Sequence, residues 1–282
     1  MLRGFNASGQ TSPGISSLAN NTTYIFGGII DGVLLRQRLI DSSGLIQSNQ
    51  STFTIGASTQ PFVAGGKSGD AGGRNWNGDI FEMLVFNRTL NGAEQVVVEN
   101  YLGAMYATNR LTVGDHFAGK LAANGAYGYD VFGIGRADAN TAIKAAGSAG
   151  LGLAERGMGA LLDNQEWVFA GHNGLAATLV SWEGSARPEA RRWGRIWYAD
   201  FNTAYVDVEF TFDWAAAGLT IPVSQFHRLL YRATQAGAWT TLSSTPTVSG
   251  NRVIFDVPAN LLQSGYYTLG WLPLRGTAIM IR

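Results

Sequence analysis

The chain has 282 residues, no cysteine, and 20 basic against 20 acidic side chains, for a formal net charge of zero. That balance excludes a broad electrostatic draw toward nucleic acid or anionic lipid, and the missing thiols exclude disulfides, thiolate metal sites and cysteine nucleophiles. Charged residues make up only 14% of a chain that carries 37 glycines and 11% aromatics, a composition that fits an all-β protein rich in turns.

Residues 1–22 are dominated by Ser, Asn, Thr and Gly and read as an arm. Met1 opens no signal-peptide pattern, so the chain is expected to be cytosolic or a mature or partial product. No run reaches transmembrane length. Residues 24–30 and 33–40 read as two strands around Asp31-Gly32, a strong hairpin signal. A further short strand is expected at 52–55, before a long Gly-rich loop at 60–77 that contains GGKSGDAGGRNWN. Residues 80–86 are apolar apart from Glu82, the pattern of a strand covered on both faces. Asn91 and Glu94 have capping-box spacing. Val97, Val98, Tyr101, Leu102 and Met105 then make one apolar stripe. The expected helix spans about 91–106 and should lie on the sheet before it. Residues 108–110 read as a linker.

Beyond the linker the texture stays β. Residues 127–138 form a strand leading into a Gly-containing turn, and 166–170 end at Gly171-His172-Asn173-Gly174. Residues 192–199 are rich in Trp and Arg. Residues 205–214, YVDVEFTFDW, give the clearest signal. Val206, Val208, Phe210, Phe212 and Trp214 fall on one face and polar residues on the other, as in a half-buried antiparallel strand. Strands at 226–233, 239–242, 247–257 around Ser249-Gly250-Asn251, and 266–272 complete a sandwich pattern with turn signals every 8–12 residues. The reading is an all-β protein of two β-sandwich-like regions, 1–108 and 109–282, the first closed by one short α-helix.

The segments IFGGIIDGVLLR, FTIGAS and NWNGDIFEMLVFNRTLNGAEQVVVENYLGAMY resemble the C-terminal half of bacterial concanavalin A-like (laminin G-like) sandwiches. There a GDI-E-hydrophobic strand precedes a short helix that ends the module. The resemblance covers about residues 22–107, half of a complete jelly roll, so it implies an incomplete sandwich edge that contacts the rest of a longer chain or identical subunits. Residues 1–22 are then expected to be held against protein. DVFGIGRAD, RIWYADF and YYTLG resemble, less sharply, a β-rich module that follows such domains in large bacterial surface proteins. Together these imply an extracellular or cell-surface setting.

Candidate chemistry is sparse. His116, His172 and His227 have no metal-ligand spacing. Gly133-Ile134-Gly135 is followed by no helix pattern, so it is not a nucleotide loop. Asp207 and Glu209 share a strand face at about 7 Å, near the range for glycosidase carboxylates. They lie outside the lectin-like half and lack the E-x-D-x-x-E pattern of glycosidases in that superfamily, so a solvated strand face is the expectation. Arg191, Arg192, Trp193, Arg195 and Trp197 are expected to pack as a Trp/Arg ladder. The sequons at Asn6, Asn20, Asn21, Asn49 and Asn87 matter only in a eukaryotic secretory pathway. The candidate ligand site is the Gly-rich loop. Asp70, Asn75, Asn77 and Asp79 offer oxygens for Ca²⁺, and Trp76 offers an aromatic face for a sugar. The expected function is a non-catalytic extracellular module of a bacterial surface protein, for adhesion or for building a filament or sheet. The alternative is a glycan-binding accessory region of a carbohydrate-active enzyme.

Overall fold

The computed structural model describes residues 4–6, 9–11, 19, 21–31, 34–41, 46–52, 78–106, 114–156, 163–202, 206–220 and 225–273. The chain is all-β, with antiparallel sheets and a single α-helix among these residues. It divides into two compact units. The first holds residues 1–22, 26–40 and 46–90, and the second 23–25, 41–45 and 91–282.

In the first unit β1 (Gly4–Asn6) pairs with β2 (Gly9–Thr11). The expected hairpin appears as β3 (Tyr24–Asp31) and β4 (Leu34–Asp41), joined by β5 (Ile46–Thr52) in a sheet of order β3-β4-β5. The third strand therefore lies ahead of the expected 52–55, and residues 53–55 fall outside the described ones. β4 buries alternate residues Leu35, Gln37 and Leu39, the period-2 signature of an inward face, and Ile40 near its end is buried on the other side. Residues 80–86 correct the sequence reading: they do not form a strand. Ile80, Phe81, Met83, Leu84, Val85 and Phe86 are 40–72% exposed. The apolar run meets the chemical requirement for a doubly covered strand, but such a strand also needs covering layers, and composition does not supply them.

The second unit is a layered sandwich. Its elements are α1 (Gly92–Met105), β6 (Tyr129–Asp138), β7 (Thr141–Ile143), β8 (Ala145–Ser148), β9 (Leu151–Arg156), β10 (Glu166–His172), β11 (Leu179–Ser181), β12 (Arg191–Trp193), β13 (Trp197–Phe201), β14 (Asp207–Asp213), β15 (Gln225–Arg232), β16 (Thr240–Ser243), β17 (Thr247–Ser249), β18 (Arg252–Val257) and β19 (Gly265–Pro273). The larger sheet has the path β11-β12-β19-β13-β10-β6-β7, with β15 on the other edge of β19 and β16 beyond it. β12 and β13 follow one another along the same edge of β19. Buried Thr268 bridges the break between them, its Oγ1 at 3.1 Å from the Trp193 carbonyl and 2.9 Å from that of Arg195. The smaller sheet has the order β17-β18-β14-β9-β8.

The alternating residues of β14 behave as their pattern demands. Val206, Val208, Phe210, Phe212 and Trp214 are all at most 1% exposed. They pack against Trp193, Trp197, Tyr267 and Leu269 of the larger sheet in the core between the sheets. Trp193 crosses Trp214 edge-on at 5.2 Å and Phe212 at 5.6 Å, geometry that places ring edges against ring faces. The larger sheet is covered on its second face as well. Val131, Trp167, Phe169, Tyr198, Leu230 and Tyr266 point there, into a second core with Ala93 of the helix and with Phe117 and Tyr127 of the segment after it. Strands buried on both faces explain why β10, EWVFAGH, has no polar alternation.

The helix is where its caps place it. Asn91 Oδ1 accepts from Glu94 N at 3.0 Å, and Glu94 Oε2 accepts from Asn91 N at 2.9 Å. Its seat differs from the expectation. It packs on β6 and β7, which follow it in sequence. It runs antiparallel to β6, with Gly92 beside Ala137 and the Ala104 carbonyl against Gly128. The fully buried positions are Ala93, Asn100 and Gly103, not the stripe of large apolar residues. Small residues are needed because the helix backbone lies close to the sheet. Asn100 is held there by three bonds. Its Nδ2 donates to Val96 O at 2.9 Å and Gly114 O at 2.8 Å, and its Oδ1 accepts from His116 N at 2.9 Å. Asn100→Ala orphans two backbone groups of the next segment and is expected to cost about 2 kcal/mol, read as a lower urea midpoint.

Candidate functional site

Of the loop candidates, Asp70, Asn75, Trp76 and Asn77 lie outside the described residues; Asp79 is exposed. Among the described residues no group of three or more His, Asp or Glu side chains is placed to hold a metal ion. A Ca²⁺ or glycan site on this loop predicts that the ligand raises the melting temperature, by about 2.7 kcal/mol of stability at a hundredfold excess over Kd, and that Trp76→Ala or Asp79→Ala removes the shift. Unchanged melting across Ca²⁺ and a broad glycan panel leaves Trp76 as packing.

The tempting carboxylates have structural partners. Asp207 Oδ1 accepts from Ala259 N at 2.9 Å, which anchors a short 3-10 turn. Glu209 pairs with Arg156, which also reaches Asp256 at 3.3 Å, and Glu209 Oε1 accepts from Thr211 at 2.9 Å. Glu209→Gln is expected to cost no more than about 1 kcal/mol, since Arg156 is half exposed and such pairs contribute little. The Trp/Arg stretch is also structural in part. Trp193 and Trp197 are fully buried, while Arg195 reaches the Leu175 and Ala149 carbonyls. The Gly133–Gly135 positions sit inside β6, where they make room for neighbouring rings.

Each histidine has a separate environment. His172 Nδ1 accepts from Gly174 N at 2.9 Å, so its proton lies on Nε2, which donates to Asp130 Oδ2 at 2.7 Å. Burial lowers its pKa against the opposing pull of Asp130. It braces the turn after β10. His227 points into the core between the sheets, near Trp214 at 5.9 Å, and neither ring nitrogen has a hydrogen-bond partner.

His116 belongs to a cleft that sequence spacing did not reveal. The cavity, about 230 Å³, is lined by Asp115, His116, Phe117, Leu121, Asp200 and Asn202 among others. The His116 ring stacks on Trp167 at 5.4 Å, and its Nδ1 lies 3.3 Å from Asn202 Nδ2. Burial lowers its pKa, opposed by Asp115. Asp200 Oδ2 accepts from Ala118 N at 2.6 Å, and Oδ1 accepts from Ser264 Oγ at 3.1 Å. Burial raises the Asp200 pKa although these bonds oppose it. Lys120 pairs with Asp115 at 2.8 Å. The histidine faces an amide, and the serine gives its proton to a carboxylate that the Ala118 N–H also holds. No nucleophile is set against a base. The arrangement fastens the 114–127 segment to the larger sheet. Its parts come from residues up to about 150 positions apart, so no local motif announces it.

The exposed run at 80–86 is the other feature of note. Six large apolar side chains within seven residues stand at 40% exposure or more. No family model, curated protein or solved structure matches this chain.

Proposed function

We propose that this chain is a non-catalytic extracellular module of a bacterial surface protein, used in adhesion or in building a surface structure, and that it works by protein–protein contact. The observation that supports this is the apolar run Ile80–Phe86, open to solvent. Contiguous exposed apolar surface of this kind marks an interaction site far more often than scattered single residues do. Asp207, Glu209, Asp200, His172 and Ser264 are engaged in structural bonds, and His227 is enclosed in the core between the sheets, which supports a binding role over a catalytic one. The half-length resemblance to laminin G-like sandwiches supports the same reading, because an incomplete sandwich offers a face to another strand or subunit.

The assembly state tests it. Light scattering and electron microscopy of the purified protein are expected to show particles larger than one chain. Val85→Asp is expected to disperse them, since a buried unpaired carboxylate is costly at an interface. A wild-type chain that stays monomeric at all concentrations overturns the assembly reading. Polysaccharide cleavage that Asp207→Asn or Glu209→Gln abolishes would overturn the non-catalytic one.

A further inference from the structure

On the helix side of the larger sheet, two arginines converge on one indole. Arg192 of β12 is buried, and its Cζ lies 5.3 Å from the Trp239 ring centroid. Arg232, the last residue of β15, lies 4.3 Å from that centroid and 5.4 Å from the ring of Tyr266. A single carboxylate serves the pair. Glu183, after β11, accepts from Arg192 Nε at 2.8 Å and Nη2 at 2.9 Å. Arg192 Nη1 is taken by the Trp193 carbonyl at 2.9 Å.

Among the described residues no acidic side chain forms an ion pair with Arg232. Its guanidinium lies over the rings of Trp239 and Tyr266, and its buried Nε has no hydrogen-bond partner, nor has Trp239 Nε1. Both arginines and Glu183 line a cavity of about 430 Å³, with Gly184, Ala236, Gly237, Ala238 and Trp239 as the remaining wall. An ideal Cβ built on Gly184 meets nothing within 4 Å, so that side of the wall is open. Two cations and one anion leave one positive charge uncompensated in a partly desolvated site. Such a charge is costly unless an anion completes it. Burial and the neighbouring Arg192 already depress the Arg232 pKa, while Glu183 opposes them.

We propose that this cavity binds a small monoanionic carboxylate ligand, held by the Arg232 guanidinium beside the Arg192–Glu183 pair. A carboxylate matches the two-pronged geometry of a guanidinium, and one negative charge restores neutrality. The volume admits a ligand of monosaccharide size, so the acid group of an acidic sugar and that of an aliphatic acid are the two sources. This inference is independent of the assembly reading: it concerns the second unit alone, and either can fail without the other.

Titration calorimetry of the whole chain with D-galacturonate, butyrate, D-galactose and inorganic phosphate tests it. At least one carboxylate is expected to bind with Kd on the order of 1 mM or tighter, and galactose not at all. Preference for galacturonate identifies an acidic sugar; equal binding of butyrate identifies the carboxyl group alone as the determinant. Arg232→Gln is expected to weaken binding at least tenfold, and Arg232→Lys to recover only part of it. The decisive variant is Glu183→Gln. The Glu183 side chain is 62% exposed, so the protein should still fold. Removing the competing internal anion is expected to tighten carboxylate binding about tenfold, which a purely structural ion pair would not do. No carboxylate binding, galactose or phosphate binding as well as the acids, or unchanged affinity in Glu183→Gln overturns the proposal.

Discussion

Gly135→Ala is expected to destabilise the second unit by about 3 kcal/mol, at the upper end of overpacking costs. A Cβ at Gly135 would sit 2.2 Å from Trp167 Cε3 and 2.6 Å from the Glu166 carbonyl oxygen. A flexible side chain could yield, but the Glu166 backbone is held in the β6–β10 ladder, and Trp167 is fully buried against His116 and Phe169. Gly133 stands in the same relation to Phe169, at 2.7 Å. The two glycines are thus shaped by the aromatic rings of the next strand. Urea unfolding followed by Trp fluorescence reads the effect. If the clash is the cause, Trp167→Leu should cost much less in the Gly135→Ala background than in the wild type, because contacting residues couple. A Gly135→Ala protein with an unchanged midpoint would show that the helix-side layer gives way easily.

The second large effect is acid destabilisation governed by His227. Burial in the inter-sheet core, with Arg228 adding to it, lowers this imidazole from 6.5 to about 4. The folded state therefore prefers neutral histidine, while the unfolded chain takes up a proton near 6.5. A depressed folded value means that this stability is present above pH 6.5 and is lost as pH falls toward 4. The shift corresponds to about 3 kcal/mol, or roughly 6–12 °C in melting temperature for a domain of this size. His116 and His172 shift in the same direction and add to the loss. Asp200 is raised and so acts with the opposite sign: protonation favours the folded state as pH falls through its folded value. Asp138 and Asp213 are lowered, so their contributions disappear only below the histidine window. Melting curves at pH 7.5 and 4.5 are expected to differ by this amount in the wild type, and His227→Leu should remove most of the difference. A variant with the same pH dependence as wild type would move the effect elsewhere.

Several elements needed nothing beyond neighbouring residues. The Val206–Trp214 alternation dictates a strand with one buried face wherever it docks, because side chains two apart share a side. Asn91 and Glu94 start a helix because their side chains satisfy backbone donors within the same turn. Ser249-Gly250-Asn251 reverses the chain locally, and β17 and β18 pair on either side of it, with Ser249 opposite Arg252.

Tertiary structure decided which surface each element meets. The helix was legible, but its seat was not. A face of Ala93, Asn100 and Gly103 looks polar and weak in sequence, and becomes the buried face only where β6 approaches closely enough to need small residues. The apolar run Ile80–Phe86 shows the converse: apolarity states that burial would be favourable, but other layers must provide it. The Glu183–Arg192–Arg232–Trp239 cavity was equally hidden, although Arg192 stood within a stretch already read as basic and aromatic. Its charge imbalance exists only once β11, β12 and β15 converge. Hydrogen-bonding and periodicity rules act over a few residues and so are written in the chain. Close approach, burial and uncompensated charge are properties of surfaces brought together from distant positions, and only the folded arrangement sets them.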